Sequence, residues 1–256
     1  MTCGMEIRET DIHEIVCPES VKPGLSSYAS CLVETLGDDL AGAYLCGSVA
    51  RGCYQPITSD IDIVVVVKDN PPANLGSSML LVGRYVHLPL DSVVVTESQA
   101  RTDVFPTPIE LFIKPGMDAA VSCAPGGSGD FLLLRQDTYE AGIPLAGPHA
   151  HHLMTPVPWR LLAQCLDSLF PNIVSHFKNP ILMLCRVAYA WTKHELCSKE
   201  QAGDWACDAL GAQWFTTIRT ALTEYACGND VSVTPREVIR SFEIYCSDYI
   251  NNLREA

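Results

Sequence analysis

Residues 43–67 read AYLCGSVARGCYQPITSDIDIVVVV, and this stretch decides the fold. Its first apolar run ends in Gly47-Ser48, as a buried strand does where it enters a tight turn, and its last apolar run extends to Val67. A helix that begins at Gly47 would direct unpaired backbone N–H groups outward, where they bind anionic oxygens such as phosphates. Ser48 would add a hydroxyl donor to this predicted anion site.

Two carboxylates, Asp60 and Asp62, stand at the start of the last apolar run. Side chains alternate between the two faces of a strand, so both carboxylates should point the same way. Neighbouring carboxylates repel each other unless a cation lies between them, and their hard oxygens suit Mg²⁺. A Gly-Ser turn or an Asp-x-Asp pair is common by itself. In this order and at this spacing, the two together predict a nucleotide site with Mg²⁺ at Asp60 and Asp62.

The combination resembles the DNA polymerase β-like nucleotidyltransferase superfamily, whose pattern is Gly-Ser, a short loop and then Asp-x-Asp on the next strand. Within it, residues 43–67 are similar to the start of the bacterial aminoglycoside adenylyltransferases of the streptomycin/spectinomycin type. Residues 179–214, NPILMLCRVAYAWTKHELCSKEQAGDWACDALGAQW, are similar to the helical C-terminal domain of that family. The likeness extends over residues 20 to 254 and is loosest between 70 and 180.

The resemblance implies an enzyme that moves AMP from ATP, its co-substrate, to a hydroxyl of an aminoglycoside or aminocyclitol and releases pyrophosphate. It implies Mg²⁺ as the cofactor, with Asp60 and Asp62 as catalytic metal ligands. Gly47, Ser48 and Ser59 would then contact the nucleotide.

A third carboxylate acts as a base in this superfamily, and in the resembled family it opens the strand after Asp-x-Asp. That place falls on Asp91, in the run Leu90-Asp91-Ser92-Val93-Val94-Val95. The family has Glu there, so the shorter Asp would set the base back by roughly one methylene. Glu110 is the competing candidate. We favour Asp91, since Glu110 follows a Pro-rich loop and could be an ordinary surface acid.

Three further nucleotide contacts are implied by the resemblance, all in the helical domain: Arg186, Lys199 and Tyr225. Arg186 sits in a helix that is apolar nearly all round, so it needs a partner. Triphosphate oxygens would supply one, and a core ion pair with an acid on a neighbouring helix is the alternative. Lys199 follows Ser198 of a Ser-x-x-Gln capping box, which predicts that it occupies the first helical position.

The acceptor is less well indicated. In the resembled family, streptomycin use goes with a Trp and an Asp shortly before the Arg186 helix, whereas residues 167–174 read DSLFPNIV. The family's Gly-Glu-Trp segment is replaced by residues 113–116, IKPG. We therefore predict spectinomycin, or another small polyol, over streptomycin. Two alternatives remain: a metabolite or protein hydroxyl as acceptor, and a nucleotide-binding protein without turnover.

Composition narrows the partners. The 256 residues carry a formal net charge of −13 with only 17 Lys and Arg, which argues against a nucleic-acid partner and favours a small cationic one. No apolar run is long enough for a membrane span, and residues 1–6 lack signal-peptide features. We expect a cytoplasmic monomer.

Periodicity predicts an α+β, two-domain fold. Residues 1–150 would form a nucleotidyltransferase domain, with a small mixed sheet flanked by helices, and residues 151–256 an α-helical bundle that completes the nucleotide and acceptor cleft. Strands are predicted at 41–46, 61–67 and 90–96. Helices are predicted at 24–38, 130–141, 158–170, 180–195, 199–208, 211–227 and 235–253. The Pro-, Gly- and Ser-rich segment 70–83 gives no clear assignment.

Overall fold

A computed structural model of the chain describes residues 18–57, 59–84, 90–114, 121–122, 128–228 and 232–255. Contacts between Cα atoms divide it into two compact units. The first takes in the chain up to Tyr54 together with Ser59–Leu162, and the second takes in Gln55–Thr58 together with Ala163–Ala256. The α+β class is confirmed. The domain boundary after residue 150 stays a prediction.

Six strands form the sheet of the first unit in the part of the chain that the structure describes. They are β1 (Leu40–Cys46), β2 (Ile61–Val67), β3 (Leu90–Thr96), β4 (Leu111–Ile113), β5 (Val121–Ser122) and β6 (Ile143–Ala146). Their order across the sheet is β5-β4-β3-β2-β1-β6. β2 and β3 are parallel and all other neighbours are antiparallel, so the predicted mixed sheet is confirmed. The three predicted strands are β1 to β3, and the short strands β4 to β6 were not predicted.

Helices cover both faces of this sheet. They are α1 (Lys22–Leu36), α2 (Gly47–Ala50), α3 (Leu75–Arg84) and α4 (Phe131–Ala141). Ile61, Ile63 and Val65 of β2 pack in one core with α1 and α3. Val64 and Val66 pack in a second core with Phe131 of α4. Since strand side chains alternate, Asp62 projects on the α4 face of the sheet.

α3 lies in the segment to which the sequence assigns no structure. Leu75, Met79 and Val82 are buried at helical spacing, and they pack against the α1 face of the sheet. Tertiary burial therefore stabilises a helix in a stretch whose Gly and Ser content disfavours one.

The second unit is helical in its described residues. Its helices are α5 (Trp159–Leu169), which begins in the first unit, α6 (Ile173–His176), α7 (Pro180–Lys193), α8 (Lys199–Ala209), α9 (Phe215–Ala226) and α10 (Arg236–Glu255). α7 packs against α8, α9 and α10. The five predicted helices are confirmed, except that α9 begins later than residue 211. Gly211 has φ of +74° and is followed by a 3-10 turn, so the α-helix begins only at Phe215.

Local signals explain two of these helix starts. The Asn179 side chain accepts a hydrogen bond from the Leu182 N–H, and Pro180 occupies the first helical position. The predicted capping box of Ser198 and Gln201 is confirmed, so Lys199 opens α8.

Within the described residues, no helix combines the length and the apolar character that a membrane crossing requires. The cytoplasmic location stays a prediction.

Candidate active site

The turn after β1 depends on glycine. Gly47 has φ of +65°, in the left-handed region that glycine adopts readily, and it opens α2 as predicted. A Cβ at this position would overlap the carboxylate of Asp62. Asp62 is opposite Cys46 in the antiparallel β1–β2 pair, so its side chain lies beside the turn. The Gly-Ser turn and the Asp-x-Asp pair therefore meet where β1 ends and β2 begins.

Ser48 carries an unsatisfied hydroxyl. Its Oγ is buried and has no hydrogen-bond partner among the described residues. Leaving a buried polar atom unpaired costs about 1–3 kcal/mol, so such an atom calls for an explanation. A ligand oxygen would satisfy it. Ser59, the other predicted nucleotide contact near the turn, is half-buried and directly precedes Asp60.

Asp62 and Asp91 lie opposite each other across the parallel pair of β2 and β3. Residues paired in this way project to the same face of a sheet, so both carboxylates lie on the α4 face. Both are half-buried, and Asp60, which precedes β2, is exposed. Within the described part of the chain, no three His, Cys, Asp or Glu side chains form a metal-binding group. A cation held here would therefore take further ligands from substrate or water.

Asp91 is a perturbed carboxylate. Burial raises its pKa above the ordinary Asp value, the ammonium of Lys114 lowers it, and the charge of Asp60 raises it, with a net increase. Lys114 Nζ lies 3.7 Å from Asp91 Oδ2. A carboxylate with a raised pKa holds an abstracted proton more tightly than an ordinary one, which suits a general base.

Glu110, the competing base, lies towards the opposite end of β3. Its N–H donates to the Val94 carbonyl oxygen at 2.9 Å, and its Oε1 accepts from Gln99 Nε2 at 2.7 Å. A strand rises roughly 3.3 Å per residue, so Val94 lies about 10 Å along β3 from Asp91. The sheet register therefore brings Asp91, and not Glu110, next to Asp62.

Asp137 of α4 reaches the same turn, and sequence reasoning missed it. Its Oδ2 accepts the Gly47 N–H at 2.7 Å, so that N–H is already paired. Its Oδ1 accepts from Arg51 Nε, and Arg51 Nη2 donates to Glu140 Oε2 at 2.8 Å. Asp137 follows Gly47 by ninety positions, and no local motif marks it.

In the second unit, the three predicted nucleotide contacts lie around the start of α8. Arg186 of α7 donates through Nε to the Cys197 carbonyl oxygen at 2.9 Å. Lys199 Nζ lies 5.1 Å from the centre of the Tyr225 ring, a cation–π contact. Among the described contacts Arg186 makes no ion pair, so the alternative of a core ion pair is not supported.

Comparison with known proteins gives two family matches. Residues 29–111 match the nucleotidyltransferase domain, and residues 153–247 match the C-terminal domain of aminoglycoside adenylyltransferase. The chain belongs to the aminoglycoside adenylyltransferase family. It is a nucleotidyltransferase of that type, as the resemblance in its sequence predicts.

Individual members of the family are distant in sequence. The chain is 23% identical to the spectinomycin 9-adenylyltransferase of Staphylococcus aureus, over 75% of this chain and 80% of that protein. It is 26% identical to the aminoglycoside (3'') (9) adenylyltransferase of Klebsiella pneumoniae, over 48% of this chain and 50% of that protein.

A solved structure supports the fold. The crystal structure of spectinomycin adenyltransferase AAD(9) from Enterococcus faecialis, with ATP and spectinomycin, matches with a TM-score of 0.70 at 15% identity. The match covers 91% of this chain and 98% of that one.

Proposed function

We propose that the chain transfers AMP from ATP to a hydroxyl of a small aminocyclitol, favouring spectinomycin over streptomycin, with release of pyrophosphate. The observation that carries this proposal is the pairing of Asp62 with Asp91 beside the Gly47 turn. This pair of carboxylates supplies a cation site and a general base at the starts of β2 and β3. Both lie next to the Ser48 hydroxyl, which has no partner among the described residues. Family membership and the names of the relatives support the same reaction.

Asp60 and Asp62 fit Mg²⁺. The missing side chain at Gly47 leaves the space that the Asp62 carboxylate occupies. Two carboxylates, with no third metal-binding side chain grouped with them in the described residues, suit an ion that also binds phosphate oxygens and water. When bound, Mg²⁺ supplies positive charge that polarises the attacked phosphoryl group.

Asp91 is proposed as the base. It accepts the proton of the acceptor hydroxyl while that oxygen attacks the α-phosphorus of ATP. The bond between the α-phosphorus and the bridging oxygen breaks, and pyrophosphate leaves. Lys114, at 3.7 Å, orients the Asp91 carboxylate before the acceptor binds.

The nucleotide contacts have separate proposed roles. Ser48 and Ser59 donate to phosphate oxygens, with Ser48 gaining the partner that its buried hydroxyl lacks. Arg186 and Lys199 match the charge of the β- and γ-phosphates equally in bound ATP and in the leaving pyrophosphate. Tyr225 stacks on the adenine of ATP, and the Lys199 ammonium already lies over the Tyr225 ring.

The acceptor class follows from charge near the base. A net charge of −13 attracts a cationic acceptor, and we propose that the protein acts as a monomer with no nucleic-acid partner. The Lys114 side chain beside Asp91 is 54% exposed, however, and its ammonium would repel an acceptor with several positive charges at the reacting hydroxyl. The same charge keeps a neutral metabolite hydroxyl as the second candidate. The preference for spectinomycin over streptomycin rests on residues 167–174 and 113–116, which lack the segments that accompany streptomycin use in the resembled family.

A panel assay tests the proposal. Pyrophosphate release from MgATP is measured with spectinomycin, streptomycin and kanamycin, and the AMP ester is identified by mass spectrometry, with Asp62→Asn as the inactive control. We expect the fastest release with spectinomycin. Faster release with streptomycin would contradict the stated preference. If no drug causes pyrophosphate release and the protein binds MgATP, the result would favour a metabolite acceptor or a protein without turnover.

A further inference from the structure

The Gly47 turn is fixed from α4 by a side chain that the proposed mechanism does not use. Asp137 accepts the Gly47 N–H through one carboxylate oxygen, at 2.7 Å, and pairs with Arg51 through the other. Arg51 belongs to the same turn, just beyond α2, and its outer nitrogen binds Glu140 at 2.8 Å. Asp137 is 8% exposed. One buried carboxylate therefore holds both ends of the turn.

The turn lies between two carboxylates. On one side Asp137 binds the Gly47 N–H, and on the other Asp62 occupies the space where a Cβ of residue 47 would be. The hydrogen bond to Asp137 fixes the Gly47 backbone on one side, and the Asp62 carboxylate leaves no room for a side chain on the other. Ser48, whose buried hydroxyl has no partner among the described residues, directly follows this position.

A buried acid beside a phosphate site is unfavourable unless its charge is matched, because like charges repel most strongly where water is excluded. Arg51 provides that match, with its side chain 20% exposed and Asp137's 11% exposed. The arrangement thus combines a rigid hydrogen bond to the turn with a neutralised carboxylate.

We propose that Asp137 is a positioning residue of the nucleotide site and that Arg51 neutralises its charge. Through the Gly47 N–H, Asp137 holds the turn that presents the Ser48 hydroxyl to the phosphates of ATP. This inference rests on the proposed function, in which ATP is the co-substrate. It also assigns the Gly47 N–H itself to Asp137 and not to phosphate.

The test is a double-mutant cycle on nucleotide affinity, measured by titration calorimetry with MgATP and no acceptor. Arg51→Met leaves a buried, unmatched carboxylate, and we expect about thirtyfold weaker binding because that charge repels the phosphates of ATP. Asp137→Ala should weaken binding about tenfold through a looser turn. The double variant should bind no more weakly than Arg51→Met alone, since the repelling charge is gone.

The variant Asp137→Asn distinguishes an effect on the position of the turn from an effect on the stability of the protein. Its amide oxygen still accepts the Gly47 N–H, so MgATP affinity should stay closer to wild type than in Asp137→Ala, even if both variants melt at the same lower temperature. The matched control is the exposed pair Asp204–Arg219, at 3.2 Å in the second unit. Asp204→Asn and Arg219→Met should leave affinity within twofold.

Four outcomes bear on the inference. Folded Asp137 and Arg51 variants that bind MgATP within twofold of wild type would overturn it, as would strictly additive losses in the cycle. The expected losses in a protein that releases no pyrophosphate with any drug would support the inference and remove only the proposed acceptor. Failure of the unmodified protein to bind MgATP would overturn both.

Discussion

The two groups of candidate site residues are held in different ways. In the first unit the backbone places the acids: Asp62 and Asp91 lie side by side on one face of the sheet because β2 and β3 pair in one register. In the second unit the positive charges are carried on long side chains: Arg186 donates to a carbonyl oxygen, and Lys199 lies over the Tyr225 ring. A sheet register tolerates no small adjustment, whereas a Lys or Arg side chain can follow its ligand. Substitutions of the acids in the first unit should therefore lower kcat. Substitutions of Arg186 or Lys199 in the second unit should raise the KM for ATP.

The largest effect is expected at Asp62. Asp62→Asn should lower kcat for pyrophosphate release by about a hundredfold or more, because metal-ion stabilisation of the transition state amounts to several kcal/mol. Steady-state release assays measure this. Glu110→Gln is the control from the other end of β3, where Glu110 binds Gln99, and it should keep kcat within twofold. Equal losses in both variants would contradict the contrast between the two ends.

A tenfold effect is expected at Lys199. Lys199→Met should raise KM for ATP roughly tenfold with little change in kcat, as fits the loss of one charge-assisted hydrogen bond. Lys193→Met removes an exposed lysine at the end of α7 and serves as the control. If Lys199→Met lowers kcat and leaves KM unchanged, the distinction between the two groups fails.

Substitutions on the opposite face of β3 should change the stability of the protein and leave its activity unchanged. Tyr28 Oη and Ser92 Oγ, both buried, form a hydrogen bond of 2.9 Å on the α1 face. Tyr28→Phe leaves the Ser92 hydroxyl unpaired and should lower the free energy of unfolding by about 1–2 kcal/mol, with kcat unchanged. Chemical denaturation gives this value. The double variant Tyr28→Phe/Ser92→Ala should recover part of the loss, and no recovery would mean that packing dominates.

The smallest effect concerns the charge of Asp91. Its pKa is raised in the folded protein, first by burial, so its stabilising contribution is present below the unfolded pKa and is lost as pH rises through the folded one. Asp91→Asn should therefore raise Tm at pH 7, without Mg²⁺, and have no effect below about pH 4, near the unfolded Asp value.

Lys114→Met is the complementary variant. Lys114 lowers the pKa of Asp91, so its removal should reduce Tm at pH 7. Thermal melts across this pH range measure both variants. A higher Tm for Lys114→Met at pH 7 would show that the Lys114 charge does not stabilise ionised Asp91.

Much of the fold can be predicted from local pattern. The apolar run of β2, the Gly-Ser turn and the helix caps at Asn179 and Ser198 all carry their structural reason within a few residues. α3 escapes prediction because its stability comes from burial of three residues against the sheet, which composition does not reveal.

The site is predictable only in part, for the same reason. Asp-x-Asp predicts the proposed cation site, and family likeness points to Asp91 as the proposed base, but the choice between Asp91 and Glu110 needs the register of β2, β3 and β4. Asp137 lies beyond sequence reasoning because its partner Gly47 is remote in the chain. Such long-range pairs are fixed by packing and have no local signature.

The most direct test of the account compares wild type with Asp91→Ala in two assays on the same preparations. A base that acts only in the chemical step contributes a factor of about 10²–10⁴ to the rate, so acceptor-dependent pyrophosphate release should fall by that factor. The dissociation constant for MgATP should stay within twofold. Full release by Asp91→Ala, with binding intact, would contradict the assignment of Asp91 as the base.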